Sequence, residues 1–233
     1  MFMSENVLAT WEVATKSQAT SVVVPDGCRD LILFSQVGNK NRWFVTPLFD
    51  EMHKVVLSRG SMMIGFRMRP GIRVAEKKLL ESMPEQGFDW NEIRDRLDTF
   101  TTRKDSVEEA LNCLASDVKT VAQVAKEIGT VQRTLQRLLL RETGRSPVYW
   151  MMLARARKAA RALSSSLCLV DIAELHGYAD QAHMSREFKR WFNTSPSALR
   201  TRSGILHQVF DAGYDGTDTG VHISIKKPFM SAT

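Results

Sequence analysis

Apolar residues in the first seventy positions fall into short runs, with turn signals about every ten residues. Ser21–Val24 is a β-branched run. Pro25-Asp26-Gly27 reads as a turn in which proline presets φ and glycine accepts positive φ, and Asp30–Phe34 reads as the next strand. Arg42–Val45, Lys54–Leu57 and Ser61–Met68 are further strands, the last stopped by Pro70-Gly71. Strands of this length and spacing predict a small sandwich or open barrel. Val74–Met83 and Trp90–Leu97 have helical spacing, with a Pro- and Gly-containing loop over 81–89. In Asn91–Asp98 the charges alternate as on a solvent-facing helix, and the polar stretch Thr101–Asp105 is the expected linker.

From Ser106 the pattern is helical throughout. Ser106 and Glu109 have capping-box spacing ahead of the apolar stripe Val107, Ala110, Leu111 and Leu114; Thr120 and Gln123 form a second such pair. The most informative stretch is Val170–Arg200. It reads as a short helix (Asp171–His176), a left-handed stop at Gly177, a turn at Tyr178-Ala179, and a helix from Gln181 to Phe192 capped by Asp180. Met184, Phe188 and Trp191 or Phe192 share one face of that helix. Gln181, His183, Ser185, Arg186, Lys189 and Arg190 share the other.

Val121–Pro147 repeats the pattern. Val124-Ala125 aligns with Ile172-Ala173, Gly129 with Gly177, Arg137 with Arg186 and Ser146-Pro147 with Ser195-Pro196; Leu135 falls on Met184 with one residue of slack in the turn. Its second helix, over about 131–141, points Leu135, Leu138 and Leu139 inward and Gln132, Arg133, Gln136, Arg137 and Arg141 outward. A core αα-hairpin with a solvated basic face would explain either copy alone. The duplication favours two helix-turn-helix motifs. Between them, Pro147–Leu163 is one long helix with Trp150, Met151, Ala154, Ala159 and Leu163 along one face, while Arg155, Arg157, Lys158 and Arg161 line the rest.

Charge sharpens this picture. The chain of 233 residues carries a net +6, but 119–202 holds fifteen Lys plus Arg against six Asp plus Glu. A basic block beside a mildly acidic remainder suits phosphate-backbone binding by one part only. A hydrophobic content of 43% is that of a globular protein, and no apolar run is long enough for a membrane span. No secretory signal is evident at the N-terminus, and three scattered cysteines, Cys28, Cys113 and Cys168, fit a reducing cytoplasm.

Ser106–Arg202 resembles the DNA-binding domain of the AraC/XylS family of bacterial transcription regulators. The resemblance is carried by VAKEIGTVQRTLQRLLLRETGRSP, WMMLARARKAARAL and IAELHGYADQAHMSREFKRWFNTSPSALR. The chain departs from the family at Val131, where serine is usual, at Leu139, where an aromatic is usual, and at Asn193, where glycine is usual. Asn193 can itself adopt the left-handed conformation, and Thr130 is the expected substitute for the cap missing at Val131. PDGCRDLILF and GFRMRPG resemble the N-terminal β-domain of one AraC-type subgroup, which implies a sensing or dimerising role.

The resulting expectation is an α+β chain. A β-rich domain over 1–100 precedes an all-α domain over 105–203, whose motifs lie at about 120–147 and 169–200, and 204–233 is a tail, turn-rich over 211–220 with one strand at 221–225. The expected DNA-contacting residues are Gln132, Arg133, Gln136, Arg137, Gln181, Ala182, His183, Ser185, Arg186, Lys189 and Arg190; Arg200 fits a structural ion pair as well as a phosphate contact. Double-stranded DNA is the expected partner. The resemblance adds RNA polymerase, a small-molecule effector at the N-terminal domain and a homodimer. An effector-independent architectural DNA binder is the first alternative, and a small β-barrel enzyme with a helical interaction module is the second. The enzyme reading lacks a clustered catalytic constellation, and with His53 alone among histidines before residue 100 a metal site there has few ligands, so no catalytic residue, metal or cofactor is expected. Cys28 beside Arg29 reads as a packed thiol in preference to an activated one.

Overall fold

The computed structural model describes residues 4–36, 38–87, 89–116, 120–215 and 223–226. The first half is built on a five-stranded sheet in the order β4-β3-β6-β1-β9, comprising β1 (Val7–Ala14), β3 (Asp30–Gln36), β4 (Arg42–Val45), β6 (Ser61–Met68) and β9 (Ile223–Lys226). Its first four strands run antiparallel, whereas β9 pairs parallel with β1. A second sheet pairs β2 (Ala19–Val23) with β5 (His53–Leu57).

Alternation along the strands sorts side chains into two clusters. Trp11, Val13, Ile32 and Met63 meet Leu57 of β5 between the two sheets. Leu31, Leu33, Ile64 and Phe66 point the other way, onto Leu79 of α1 (Glu76–Ser82) and Ile93 and Leu97 of α2 (Trp90–Phe100). The alternating charges of α2 therefore flank a fully buried Ile93–Leu97 stripe. Gly65 lies beneath the Trp11 indole, where an added Cβ would come within 2.0 Å of the ring.

Three expectations change here. β1 is a central strand that the apolar pattern did not mark: Val7–Trp11 are buried without a break, because sheet and helices cover it on both faces. The predicted linker is structured. Thr101-Thr102 (β8) pairs with Arg73-Val74 (β7), and α3 (Asp105–Ala115) starts directly after it. Because that helix begins at Asp105, Ser106 is not its cap; Lys104 holds that position and offers no side-chain hydrogen bond.

The second half comprises α3, α4 (Val121–Glu127), α5 (Gln132–Thr143), α6 (Pro147–Ala162), α7 (Leu169–Leu175), α8 (Gln181–Phe192), α9 (Pro196–Thr201) and α10 (Ser203–Val209). One core runs through it, with Trp150 and Leu153 of α6 among Leu135, Leu139, Phe188, Trp191 and Phe192. Ser146 and Ser195 cap α6 and α9, accepting from Tyr149 N and Ala198 N, with proline following each.

The two halves meet at a polar joint. The turn at Gly27 (φ +74°) lies against Trp150 and Leu153. Residues 211–215, expected in a turn-rich tail, fit into the same joint. Tyr214 N donates to Asp26 O at 2.7 Å, its hydroxyl donates to Leu111 O at 2.7 Å, and its ring stands edge-on to Trp150. Arg157 is not on the outer basic stripe of α6: it is fully buried and donates to Pro25 O, Val209 O and Asp211 O, with Asp215 at 3.5 Å. Asp215 is also buried and meets Arg161 at 2.6 Å. Arg67 adds contacts to Asp26 (2.9 Å), Asp30 (3.3 Å) and Ala212 O (2.9 Å). The expected strand over 221–225 is observed as β9 at 223–226; the remainder of that expectation lies outside the described residues.

Candidate nucleic-acid interface

The two motifs repeat at the level of individual hydrogen bonds. In the first, Ile128 N donates to Val124 O at 3.1 Å, Gly129 N to Lys126 O at 3.1 Å and Thr130 N to Ala125 O at 2.8 Å. In the second, His176 N donates to Ile172 O at 3.1 Å, Gly177 N to Glu174 O at 3.0 Å and Tyr178 N to Ala173 O at 2.9 Å. Gly129 (φ +67°) and Gly177 (φ +70°) hold the left-handed position that closes each short helix. One additional residue in the second turn then delays α8 relative to α5, as the slack in the sequence alignment requires.

Capping separates the two copies. Asp180 accepts from His183 N at 2.6 Å, and His183 Nδ1 accepts in return from Ala179 N at 3.3 Å, a reciprocal arrangement like a capping box. An accepting Nδ1 assigns the ring proton to Nε2, which lies 3.8 Å from Glu187 Oε1. At α5 the cap is Val131, 65% exposed and without a side-chain hydrogen bond; Thr130 does not substitute for it. At the far end of α8, Asn193 adopts φ +49°.

Burial of Leu135 and Leu139 on α5, and of Met184, Phe188, Trp191 and Phe192 on α8, turns the opposite faces outward. Gln132, Arg133, Gln136 and Arg137 are exposed on α5; Gln181, Ala182, Arg186, Lys189 and Arg190 are exposed on α8. His183 and Ser185 are half-buried, and Ser185 Oγ donates to Gln181 O at 2.8 Å. The Arg190 guanidinium lies 5.1 Å from the Trp191 ring centroid. Among the described residues Arg133, Arg137 and Arg186 form no ion pair, which leaves their donors facing solvent. Arg200 serves the fold: Nε donates to Leu163 O and a terminal nitrogen to Leu167 O, tying α9 to the loop after α6.

Each of α5 and α8 also carries one buried carboxylate that its sequence did not single out. Glu142 of α5 takes Lys104 at 2.8 Å and Arg141 at 2.7 Å. Those two donors, Lys104 first, hold its carboxyl below the usual glutamate range against the cost of burial. Glu187 of α8 takes Arg155 of α6 at 2.5 Å, and that guanidinium stacks over Tyr178 at 4.7 Å. Glutamates five residues after Arg137 and one after Arg186 look like surface residues in sequence. Only the packed neighbour helix shows that they are anchors. The exposed faces thus hang from helices pinned to Lys104 and to α6, an arrangement that can present donors to a polyanion without rearrangement.

The described residues contain no group of three His, Cys, Asp or Glu placed to hold a metal. Cys28 is buried, and burial pushes its thiol well above the ordinary value, with Asp26 adding to the rise. Its reactivity is accordingly low. No described helix is long and apolar enough to cross a membrane.

Residues 108–202 match the family described as helix-turn-helix domain. The HTH-type transcriptional activator RhaS of Escherichia coli (strain SE11) is 38% identical over 85 residues, covering 36% of this chain and 31% of that protein. The match therefore spans about a third of the length of the curated relative. Among solved structures, the C-terminal domain of AraT, a response regulator from Geobacillus stearothermophilus, is 28% identical, with 42% of this chain and 86% of that chain covered at a TM-score of 0.40. The DNA-binding domain of AdpA in complex with a target DNA is 27% identical, with 41% and 86% covered at a TM-score of 0.36. ToxT from Vibrio cholerae O395 is 10% identical, with 88% and 98% covered at a TM-score of 0.45.

Proposed function

We propose, for a chain whose residues 108–202 are a helix-turn-helix domain of the AraC/XylS type, that the whole protein is a sequence-specific transcription regulator. It reads two successive major-groove segments of double-stranded DNA, one with α5 and one with α8. The supporting observation is the repeat of the turn hydrogen bonds at both ends of α6, each followed by a helix with an exposed basic face. A rigid connector between two such helices suits groove segments about one turn, ~34 Å, apart, so one subunit reads a site without two-fold symmetry.

Arg133 and Arg137 suit guanine O6 and N7, and Gln136 suits adenine N6 and N7. Gln132, in the first turn of α5, supplements them. On α8, Gln181 and Arg186 are the base readers and Ala182 meets a thymine methyl. His183 acts through Nε2 alone, since its other nitrogen closes the turn. Lys189, Arg190 and the helix N-termini hold phosphates and set register, and Ser185 joins them when its hydroxyl turns from Gln181 O to a phosphate oxygen. The β-half supplies a signal or a dimer contact, and RNA polymerase is the partner through which a regulator acts, in the cytoplasm where the chromosome lies.

Selection of bound duplexes from a random pool tests this reading. Enrichment of a bipartite, non-palindromic sequence with half-sites about one helical turn apart is expected. Binding without any enriched sequence would favour an architectural role and overturn it.

A further inference from the structure

The two sheets of the β-half line a cavity of about 200 Å³ that is open to solvent. Its walls include Trp11, Ile32, Phe44, Leu57 and Met63, and its floor is formed by Asp26, Cys28, Asp30 and Arg67. The floor is selective in charge. Arg67 is already committed through all three nitrogens: Nε to Asp30, one terminal nitrogen to Asp26 and the other to Ala212 O. An anion entering the cavity would meet two carboxylates, and each nitrogen of Arg67 already faces an acceptor of the protein itself. A cation would meet carboxylate oxygens that retain lone pairs beyond the bonds from Trp11 Nε1 and Cys28 N. Burial raises the Asp26 carboxyl above its ordinary value and Arg67 offsets this only in part, so a second cation would favour its charged form.

Given a sensing role for the β-half, on which this step rests, we propose that the cavity binds a small apolar amine, with its hydrocarbon part between Trp11 and Met63 and its ammonium on Asp26 and Asp30. The ammonium competes with Arg67 for both carboxylates. Arg67 also holds Ala212, and residues 211–215 hold α6 through Asp215, Arg157 and Arg161. Occupancy therefore slackens the segment that fastens the β-half to the connector between the two recognition helices.

Phenethylamine, phenethyl alcohol and phenylacetate share one ring and differ in the charge of the head group. Calorimetric titration of the full chain at pH 7 should show the amine binding, the alcohol about tenfold weaker for want of a charge-assisted hydrogen bond, and the carboxylate not at all. Hydrogen exchange at the Tyr214 amide, which donates to Asp26 O, should accelerate when the amine is bound. Met63→Trp fills the cavity without touching its floor and should abolish amine binding while circular dichroism stays unchanged; Asp26→Asn should lose the preference for amine over alcohol. No heat from the amine, phenylacetate binding as tightly as the amine, or undiminished binding by folded Met63→Trp would each overturn the proposal. None of those outcomes alters the DNA selection, and a failed selection leaves amine binding untouched, so the two readings fail separately.

Discussion

Arg186 and Arg157 carry the same guanidinium in opposite surroundings. Arg186 projects from α8 into solvent, whereas Arg157 is fully buried and meets three backbone carbonyls and a carboxylate. A solvated guanidinium is available to a guanine edge, and a buried one is already spent on its own fold. Arg186→Ala should weaken specific binding by roughly 1–3 kcal/mol and relax preference at one base position, measured by titration against the selected duplex at fixed salt. Lys189→Ala should instead weaken all sequences alike and lower the salt slope by about one. Equal loss on specific and non-specific DNA for Arg186→Ala would remove it from the base readers.

Glu142 gives a pH dependence at the same scale. Its folded pKa lies below the unfolded value, so its stabilisation is complete above the usual glutamate range and disappears as pH falls through the lowered folded value. Glu142→Gln should therefore have a lower Tm than the parent chain near neutrality, and the gap should narrow as the pH drops below about 4. A gap that widens in acid would contradict the assigned sign.

Among elements, α5 and α8 differ at their first residue. Asp180 caps α8 with its carboxylate, while Val131 leaves the first N–H groups of α5 without a side-chain partner. Val131 is largely exposed, so little packing opposes its replacement. Val131→Ser should raise stability by about 1 kcal/mol, read as a Tm increase of roughly 2–4 °C. An unchanged Tm would mean that solvent already satisfies that turn. Elements of this kind were legible in the sequence because their determinants are local. Asp180, Ser146, Ser195 and Asn193 each act within three residues, and both recognition helices follow from apolar spacing. β1 was not legible, since a strand covered on both faces loses the alternation that marks one. The buried state of Glu187 depends on Arg155 more than thirty residues away, which no spacing rule within α8 can indicate.

At the scale of the molecule, the joint between the halves is polar and buried. Arg157, Asp215, Arg161, Asp26, Asp30 and Arg67 fill it, and Gly213 leaves no room for a Cβ, which would fall 2.8 Å from an Arg157 nitrogen. Removing one member of a buried ionic cluster strands its partner, so Arg157→Leu should cost about 3–5 kcal/mol, measured by denaturant unfolding. A loss below ~1 kcal/mol would show that Arg161 alone satisfies Asp215. The sequence presented Arg157 as one more surface cation because its burial is created by residues 211–215, themselves read as part of a turn-rich tail.

The parallel pairing of β9 with β1 also bears on how the chain is made. β1 leaves the ribosome ahead of its neighbour, which follows roughly two hundred residues later, about 10–40 s at ordinary elongation rates. Throughout that interval one flank of β1 has open amide and carbonyl groups, and the helical half emerges before that flank is covered. A nascent chain of this protein thus passes through a long-lived stage with an adhesive sheet margin, a substrate for chaperones that retain unfinished β-structure.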